Sequence, residues 1–177
     1  ERLELAGDPE ALADLRLDRA DLEISSGDAK AAAVALRAAE RPLSGQRAGD
    51  FEARRVALAV RVAARGPASG RSEARAQVLT EIGALREGSR PLEAELHAAA
   101  WELAVASADE AAATKHAVWA TRIHDSMTAG FPADVQSAYW QDARRAAMRE
   151  TARRAAADPA GVTGPTNAIE ERFTRVL

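Results

Sequence analysis

The chain has 177 residues, of which 47% are apolar but only 4% aromatic, and 29% are charged with a net charge of −3. This mixed charge gives no basic footprint for nucleic acid or an acidic membrane, and no apolar run is long enough to predict a membrane-spanning helix. The absence of cysteine excludes disulfides, thiol nucleophiles and cysteine zinc sites, and is typical of a reducing cytoplasm, where we expect the protein to be located.

The first predicted helical hairpin covers residues 9–41. Pro9 suits the first turn of a helix, because the N–H that it lacks would have no partner there. The first helix is predicted to end at Gly27, since glycine readily adopts the left-handed conformation that closes a helix. Asp28 is the predicted N-cap of the second helix, which Pro42 terminates.

Two further hairpins are predicted over residues 50–87 and 91–129, and their turns are placed at Gly66 and Ser107. The turn at Gly66 carries an insertion of about three residues relative to the others. Asp109 is the predicted N-cap of the helix that follows the last turn. The three hairpins recur at intervals of about 40 residues, which indicates an internal repeat.

A pair of shorter helices over residues 132–157 is expected to cap the last hairpin, with Asp142 as the N-cap of its second helix. Residues 158–177 are predicted to be a linker and a connector helix that begins at Asn167. The chain starts at Glu1 rather than at Met and ends within an apolar pattern, so we expect it to be part of a longer protein.

No segment shows the alternating pattern of β-branched residues that predicts a strand, so we expect an all-α fold without β-sheet. The alanine-rich composition agrees with this expectation. Alanine favours helices and lets the axes of packed helices approach closely.

The turn and packing residues of these hairpins resemble those of the tetratricopeptide repeat. The first hairpin carries the turn Gly27-Asp28 and the third carries the packing residues Leu96, Ala99, Ala100, Leu103, Ala112, His116 and Trp119. Arg16 and Arg19 depart from the pattern, because the family places bulky apolar groups there. The resemblance implies a right-handed α-solenoid of antiparallel hairpins, in which residues 1–157 form one tetratricopeptide-like domain.

The segment FPADVQSAYWQDARR, residues 131–145, is similar to the closing motif of the tetratricopeptide-like region in large bacterial signalling proteins. Residues 168–177 are similar to the connector helix that leads into a GAF sensor domain in those proteins. Such proteins combine a kinase-like module, helical repeats, a GAF domain and an output domain. The resemblance implies a docking or sensing segment of a cytoplasmic signalling or transcription regulator, with catalysis housed elsewhere.

Three sets of polar residues are candidates for chemistry, and for each a structural interpretation is favoured. The histidines lack metal-ligand spacing and are interpreted as packing or surface residues; they are His97, His116 and His124. The acidic set alternates with arginines, as on a salt-bridged helix face; it comprises Asp14, Asp18, Asp21 and Glu23. The arginines between residues 144 and 154 lack interleaved aromatics that would stack on bases. We therefore predict no catalytic, metal or cofactor site, and no enzyme activity.

The predicted partner-binding surface is a concave groove, because the first helices of solenoid hairpins line the inner face. By this register the groove contains Asp14, Leu17, Asp21, Val56, Val60, His97 and Trp101. An aromatic residue exposed there would be a peptide or helix anchor, although a core position is the favoured interpretation of Trp101. Exposed side chains at His97 and Trp101 would indicate an interaction module, and buried ones would favour a structural spacer.

The function that we expect is non-catalytic protein–protein interaction, with a protein, a peptide or neighbouring domains of the same chain as the partner. The alternatives are a structural spacer or self-associating segment, which could form a homodimer, and a helical domain that senses a small ligand. No direct contact with nucleic acid or with a membrane is expected.

Overall fold

The computed structural model describes residues 9–39, 46–85 and 89–157. Within these ranges the chain folds entirely as helices and turns, without a strand, so the predicted all-α class is confirmed for this part of the protein. The helices are α1 (Pro9–Ser26), α2 (Ala29–Ala39), α3 (Gln46–Arg65), α4 (Arg71–Ala84), α5 (Arg90–Ala106), α6 (Glu110–Thr128), α7 (Ala133–Tyr139) and α8 (Ala143–Ala157). No helix among the described residues has the length and hydropathy needed to cross a bilayer.

Three aspartates cap the helices as their positions predict. The side-chain oxygens of Asp28, Asp109 and Asp142 each accept a hydrogen bond from a backbone N–H in the first turn, at 2.8, 3.0 and 3.0 Å. Each bond satisfies a donor that has no partner within its own helix. The predicted insertion in the second turn is a 3₁₀ turn at Ala68–Gly70. The predicted linker and connector helix lie outside the described residues.

The helices pack as successive pairs, α1 with α2, α3 with α4, and α5 with α6. The first helix of each later pair also contacts both helices of the pair before it, so α3 meets α1 and α2, and α5 meets α3 and α4. α8 packs on α6, whereas α7 has seven residues and buries none of them. Of the two helices expected to cap the last hairpin, α8 therefore makes the principal packing contact.

Each pair of helices shares a core with the helix that follows it. The first core joins α1 and α2 to Phe51 and Leu58 of α3, and the second joins α3 and α4 to α5. The third core consists mainly of alanines from α5 and α6, closed by Trp101 and by the fully buried Met148 of α8. Alanine contributes little transfer free energy, so the third core depends on these two large side chains.

Candidate functional site

Three residues predicted to line an exposed groove are core residues instead. Leu17 and Val60 are fully buried, and Val56 is 4% exposed. Leu17 packs in the first core, and both valines pack in the second. The expectation of an exposed position is wrong for all three, because each packs in a core that its own hairpin shares with the helix that follows.

The acidic residues of α1 are placed differently from these aliphatic ones. Asp14 is half-buried on α1. Asp21 forms an ion pair with Arg61 of α3, and Asp18 forms one with Arg54 of the same helix. Glu23 pairs with Arg19 of α1, as the predicted salt-bridged face requires, whereas Asp18 and Asp21 pair with arginines of the next hairpin.

Trp101 is 8% exposed and lies in the third core, among alanines of α5 and α6 and beside Met148 of α8. Its favoured interpretation as a core residue is confirmed. The proposed exposure on a groove is wrong, because α8 packs over this part of the hairpin.

His97 is also buried, and it contacts a second histidine rather than solvent. Its Nδ1 atom lies 2.9 Å from Nδ1 of His116, and the two side chains are 6% and 7% exposed. The His97 ring is stacked on Trp119, with the ring centres 5.9 Å apart. At this distance one Nδ1 atom donates its proton and the other accepts it. These two histidines are packing residues, as predicted, and His97 is not part of an exposed groove.

The surroundings of this histidine pair keep both rings neutral at neutral pH. Burial, together with the neighbouring His116 and Lys115, lowers the pKa of His97 to about 3. Burial also lowers the pKa of His116 to about 4, aided by the positive charges of Lys115 and Arg75 and opposed by Asp109. A neutral ring has the free nitrogen lone pair that accepts the shared N–H···N hydrogen bond.

A third histidine joins α6 to the end of α7. His124 Nδ1 lies 2.6 Å from the hydroxyl oxygen of Tyr139. The guanidinium of Arg145 lies 4.2 Å from the centre of the Tyr139 ring, and that of Arg149 lies at the same distance over Trp140. These are cation–π contacts, so part of the arginine-rich face of α8 is engaged within the protein.

The sequence interpretation did not select Glu102, yet three arginines converge on it. Its carboxylate is 3.3 Å from Arg61 and 2.7 Å from Arg65, both on α3, and it also pairs with Arg144 of α8. Its side chain is only 11% exposed. Burial disfavours a charged Arg144, but Glu95 and Glu102 outweigh this effect and raise the pKa of its guanidinium.

These contacts form a continuous series, here called the ion-pair ladder, which consists of Asp21, Arg61, Glu102 and Arg144. The ladder crosses α1, α3, α5 and α8 in turn. Glu95 also pairs with Arg144, at 2.7 Å. It lies seven residues before Glu102 on the same face of α5, and this spacing of two acidic residues is a sequence signal for the α5 end of the ladder.

A cavity of about 170 Å³ lies between α4, α5 and α6. Its floor is formed by Ala100, Leu103 and Ala104 of α5. Arg75 of α4 and Asp109 at the start of α6 line its rim and form an ion pair at 2.9 Å. The residues of this cavity were not singled out together by sequence reasoning, because they come from three helices.

Within the described ranges, no group of three or more histidine, aspartate or glutamate side chains is arranged to hold a metal ion. Comparison of the chain with protein-family models, curated protein sequences and solved structures finds no match.

Proposed function

We propose that this chain is a non-catalytic scaffold that holds neighbouring segments of a larger cytoplasmic regulator in a fixed arrangement. The observation that carries this proposal is the ion-pair ladder, which connects α1, α3, α5 and α8; Arg61 and Glu102 at its centre are nearly buried, whereas Asp21 at its end is about half exposed. Charges that are paired in this way are costly to separate, so the ladder resists movement of one hairpin relative to the next.

The architecture proposed for this scaffold is a tetratricopeptide-like right-handed α-solenoid. The succession of hairpins, each sharing a core with the following helix, supports it. In repeat proteins of this kind each unit contacts mainly its neighbours. The similarity of residues 131–145 to the closing motif of bacterial signalling proteins supports a place in a multidomain regulator.

The engagement of the histidines supports a non-catalytic role. His97 and His116 bond to each other, and His124 contacts the Tyr139 hydroxyl. A general base needs a proton of the substrate within hydrogen-bond reach, and these contacts use one ring nitrogen of each histidine for packing. The burial of His97 and Trp101 also favours a scaffold over a peptide-binding groove.

Spin-label distance measurements test the scaffold, and the cysteine-free chain makes site-specific labelling simple. Labels at Lys30→Cys on α2 and Arg153→Cys on α8 replace exposed residues far apart in the chain. We expect one narrow distance distribution, which Glu102→Gln broadens because it removes the central charge of the ladder. The matched substitution Glu110→Gln, at an exposed position of α6, should leave the distribution unchanged. A broad distribution in the protein with an intact ladder would contradict the scaffold.

A second candidate function is docking of a protein partner, a neighbouring domain or a second copy on α1. Leu15 is 50% exposed and Leu22 is 69% exposed. These residues lie seven apart and hence on the same face of the helix. Paired apolar side chains on one exposed face favour a protein contact more than a single one does.

Sedimentation velocity across protein concentrations tests self-association through this face. The double variant Leu15→Ser/Leu22→Ser should abolish any concentration-dependent association. Val105→Ser, at a position that is 54% exposed on α5, is the control and should leave association intact. Association that persists in the double variant would exclude this face as the contact between copies.

A further inference from the structure

The cavity between α4, α5 and α6 combines an apolar floor with a charged rim. Two alanines, Ala100 and Ala104, form part of its floor, and Val78 and Leu79 of α4 form a wall. Both alanines have small side chains, so they occupy little of the space between the flanking helices. A concave apolar site with a few polar groups is the usual form of a small-molecule site.

Two arginines and one aspartate line this cavity, so the net charge of its lining is +1. Arg71 and Arg75 line it, and Asp109 is the carboxylate among the lining residues. Lys115 lies close enough to His116 to act on its charge state, as Arg75 does. The cavity therefore favours an anionic group over a cationic one.

Two side chains offer hydrogen-bond donors to such a group. Arg75 uses Nη1 to bond Asp109, and its guanidinium carries further N–H groups. His116 lines the cavity while its Nδ1 atom is engaged with His97, so the nitrogen that it can offer is Nε2. When His97 donates the shared proton, His116 carries its own proton on Nε2 and can donate it to an acceptor.

The size of the cavity limits the ligand. Its volume of about 170 Å³ is similar to that of an apolar protein cavity of about 150 Å³ that accepts benzene. A single ring or a short aliphatic chain has the right size for this cavity, whereas a nucleotide or a peptide is too large to fit.

We propose that this cavity binds a small monocarboxylic acid of about the size of benzoate, with the carboxylate at Arg75 and His116 and the apolar body over the alanine floor. Bound there, the ligand would contact α4, α5 and α6 together. This site goes beyond the proposed scaffold function and does not depend on it.

Isothermal titration calorimetry with benzoate as the probe tests the site in the full chain. We expect saturable binding with one site per chain. Benzamide has the same ring but no charge, and it should bind at least about tenfold more weakly, because hydrogen bonds to a charged acceptor are stronger than those to a neutral one. Absence of saturable benzoate binding, or equal binding of benzamide, would overturn the proposal.

Two substitutions locate the binding to this cavity. Arg75→Gln should weaken benzoate binding at least tenfold, and it leaves the cap of α6 in place because Asp109 still accepts the N–H of Ala112. Ala112→Leu places a larger side chain at the cavity wall and should abolish binding. The controls are Arg122→Gln and Ala111→Leu, which alter exposed positions of α6 outside the cavity. Binding that survives both cavity substitutions, with thermal unfolding unchanged, would also overturn the proposal.

Discussion

The turn between α1 and α2 and the turn between α5 and α6 have the same hydrogen-bond pattern. In the first turn, the N–H groups of Gly27 and Asp28 bond to the carbonyls of Ile24 and Glu23, the latter at 2.8 Å. In the other, the N–H groups of Ala108 and Asp109 bond to the carbonyls of Val105 and Ala104, the latter at 2.9 Å. Both turns contain a residue with positive φ, 90° at Gly27 and 54° at Ala108.

This correspondence sets a register between the two hairpins. At the same sequence offset, Asp21 corresponds to Glu102, and both acidic residues pair with Arg61. Arg16 corresponds to His97 and Ala20 to Trp101. The register predicted from the repeat pattern was therefore shifted, since it compared His97 and Trp101 with Asp14, Leu17 and Asp21.

The interiors of the two hairpins differ although their turns agree. The fully buried Leu17 corresponds to Ala98, and the buried Ala35 corresponds to His116. The third hairpin thus replaces aliphatic volume with an imidazole pair and an indole. One backbone arrangement thus accepts either an aliphatic or a partly polar interior. The two imidazoles bond to each other, whereas the buried indole N–H of Trp101 has no hydrogen-bond partner.

Acidification should have the largest effect on the free energy of unfolding, because the histidine pair inside the third hairpin resists protonation in the folded state. The folded pKa values of about 3 and about 4 lie below the unfolded value of about 6.5. The contribution of these two histidines to stability is therefore present at pH values above 6.5. It is lost as the pH falls below that value, because the unfolded chain takes up protons that the folded chain does not. The loss from these two groups between pH 7 and pH 5 should be on the order of 4 kcal/mol, measured by urea unfolding. The double variant His97→Leu/His116→Leu should show a much smaller pH dependence, and equal slopes would contradict the assignment.

Leu17→Ala should have the next largest effect, because it gives the first hairpin the small residue that the third one has at Ala98. Removal of a fully buried leucine costs about 3 kcal/mol when no other side chain fills the space. Chemical denaturation should show this loss. Leu22→Ala, at a position that is 69% exposed, is the control and should change the free energy of unfolding by less than about 0.5 kcal/mol. Equal effects of the two variants would indicate that the first core is not packed as described.

Glu102 and Asp21, which occupy corresponding positions in the two hairpins, should differ in their contribution to stability. Glu102→Gln leaves Arg61, Arg65 and Arg144 without their shared carboxylate and should cost about 2 kcal/mol, since its side chain is 11% exposed. Asp21→Asn removes a carboxylate that is 48% exposed and should cost less than about 1 kcal/mol. Urea unfolding at low and high salt separates the two cases. A larger cost at Asp21 than at Glu102 would contradict the role given to the ladder.

The smallest effects are expected at the turns, where the two substitutions should have opposite signs. Ala108→Gly should stabilise the protein by about 0.5–1 kcal/mol, because glycine adopts positive φ without the penalty that alanine incurs. Gly27→Ala should destabilise by a similar amount, and its new methyl group would have no atom within 4 Å to contact. Thermal unfolding of both variants tests this. Shifts of the same sign would show that the turns are not equivalent.

The sequence predicted the helices and their capping residues well, because both depend on local interactions. Asp28, Asp109 and Asp142 cap their helices as expected. The contact of His97 with His116 could not be predicted, because it depends on how α5 crosses α6. The ladder around Glu102 was missed for the same kind of reason, since tertiary packing determines the partners of Glu102. The positive φ of Ala108 was missed because glycine, not alanine, is the usual residue at such a turn position.

The positions of the tryptophans have a practical consequence for following unfolding. Trp101, Trp119 and Trp140 lie in α5, α6 and the turn before α8, and the sequence contains three tryptophans in total. Indole fluorescence therefore reports on the later half of the protein, whereas far-ultraviolet circular dichroism reports on every helix. Coincident unfolding curves from the two signals would mean that the first hairpin melts together with the third. Separate curves would assign the earlier or later transition to one half of the chain without any added label.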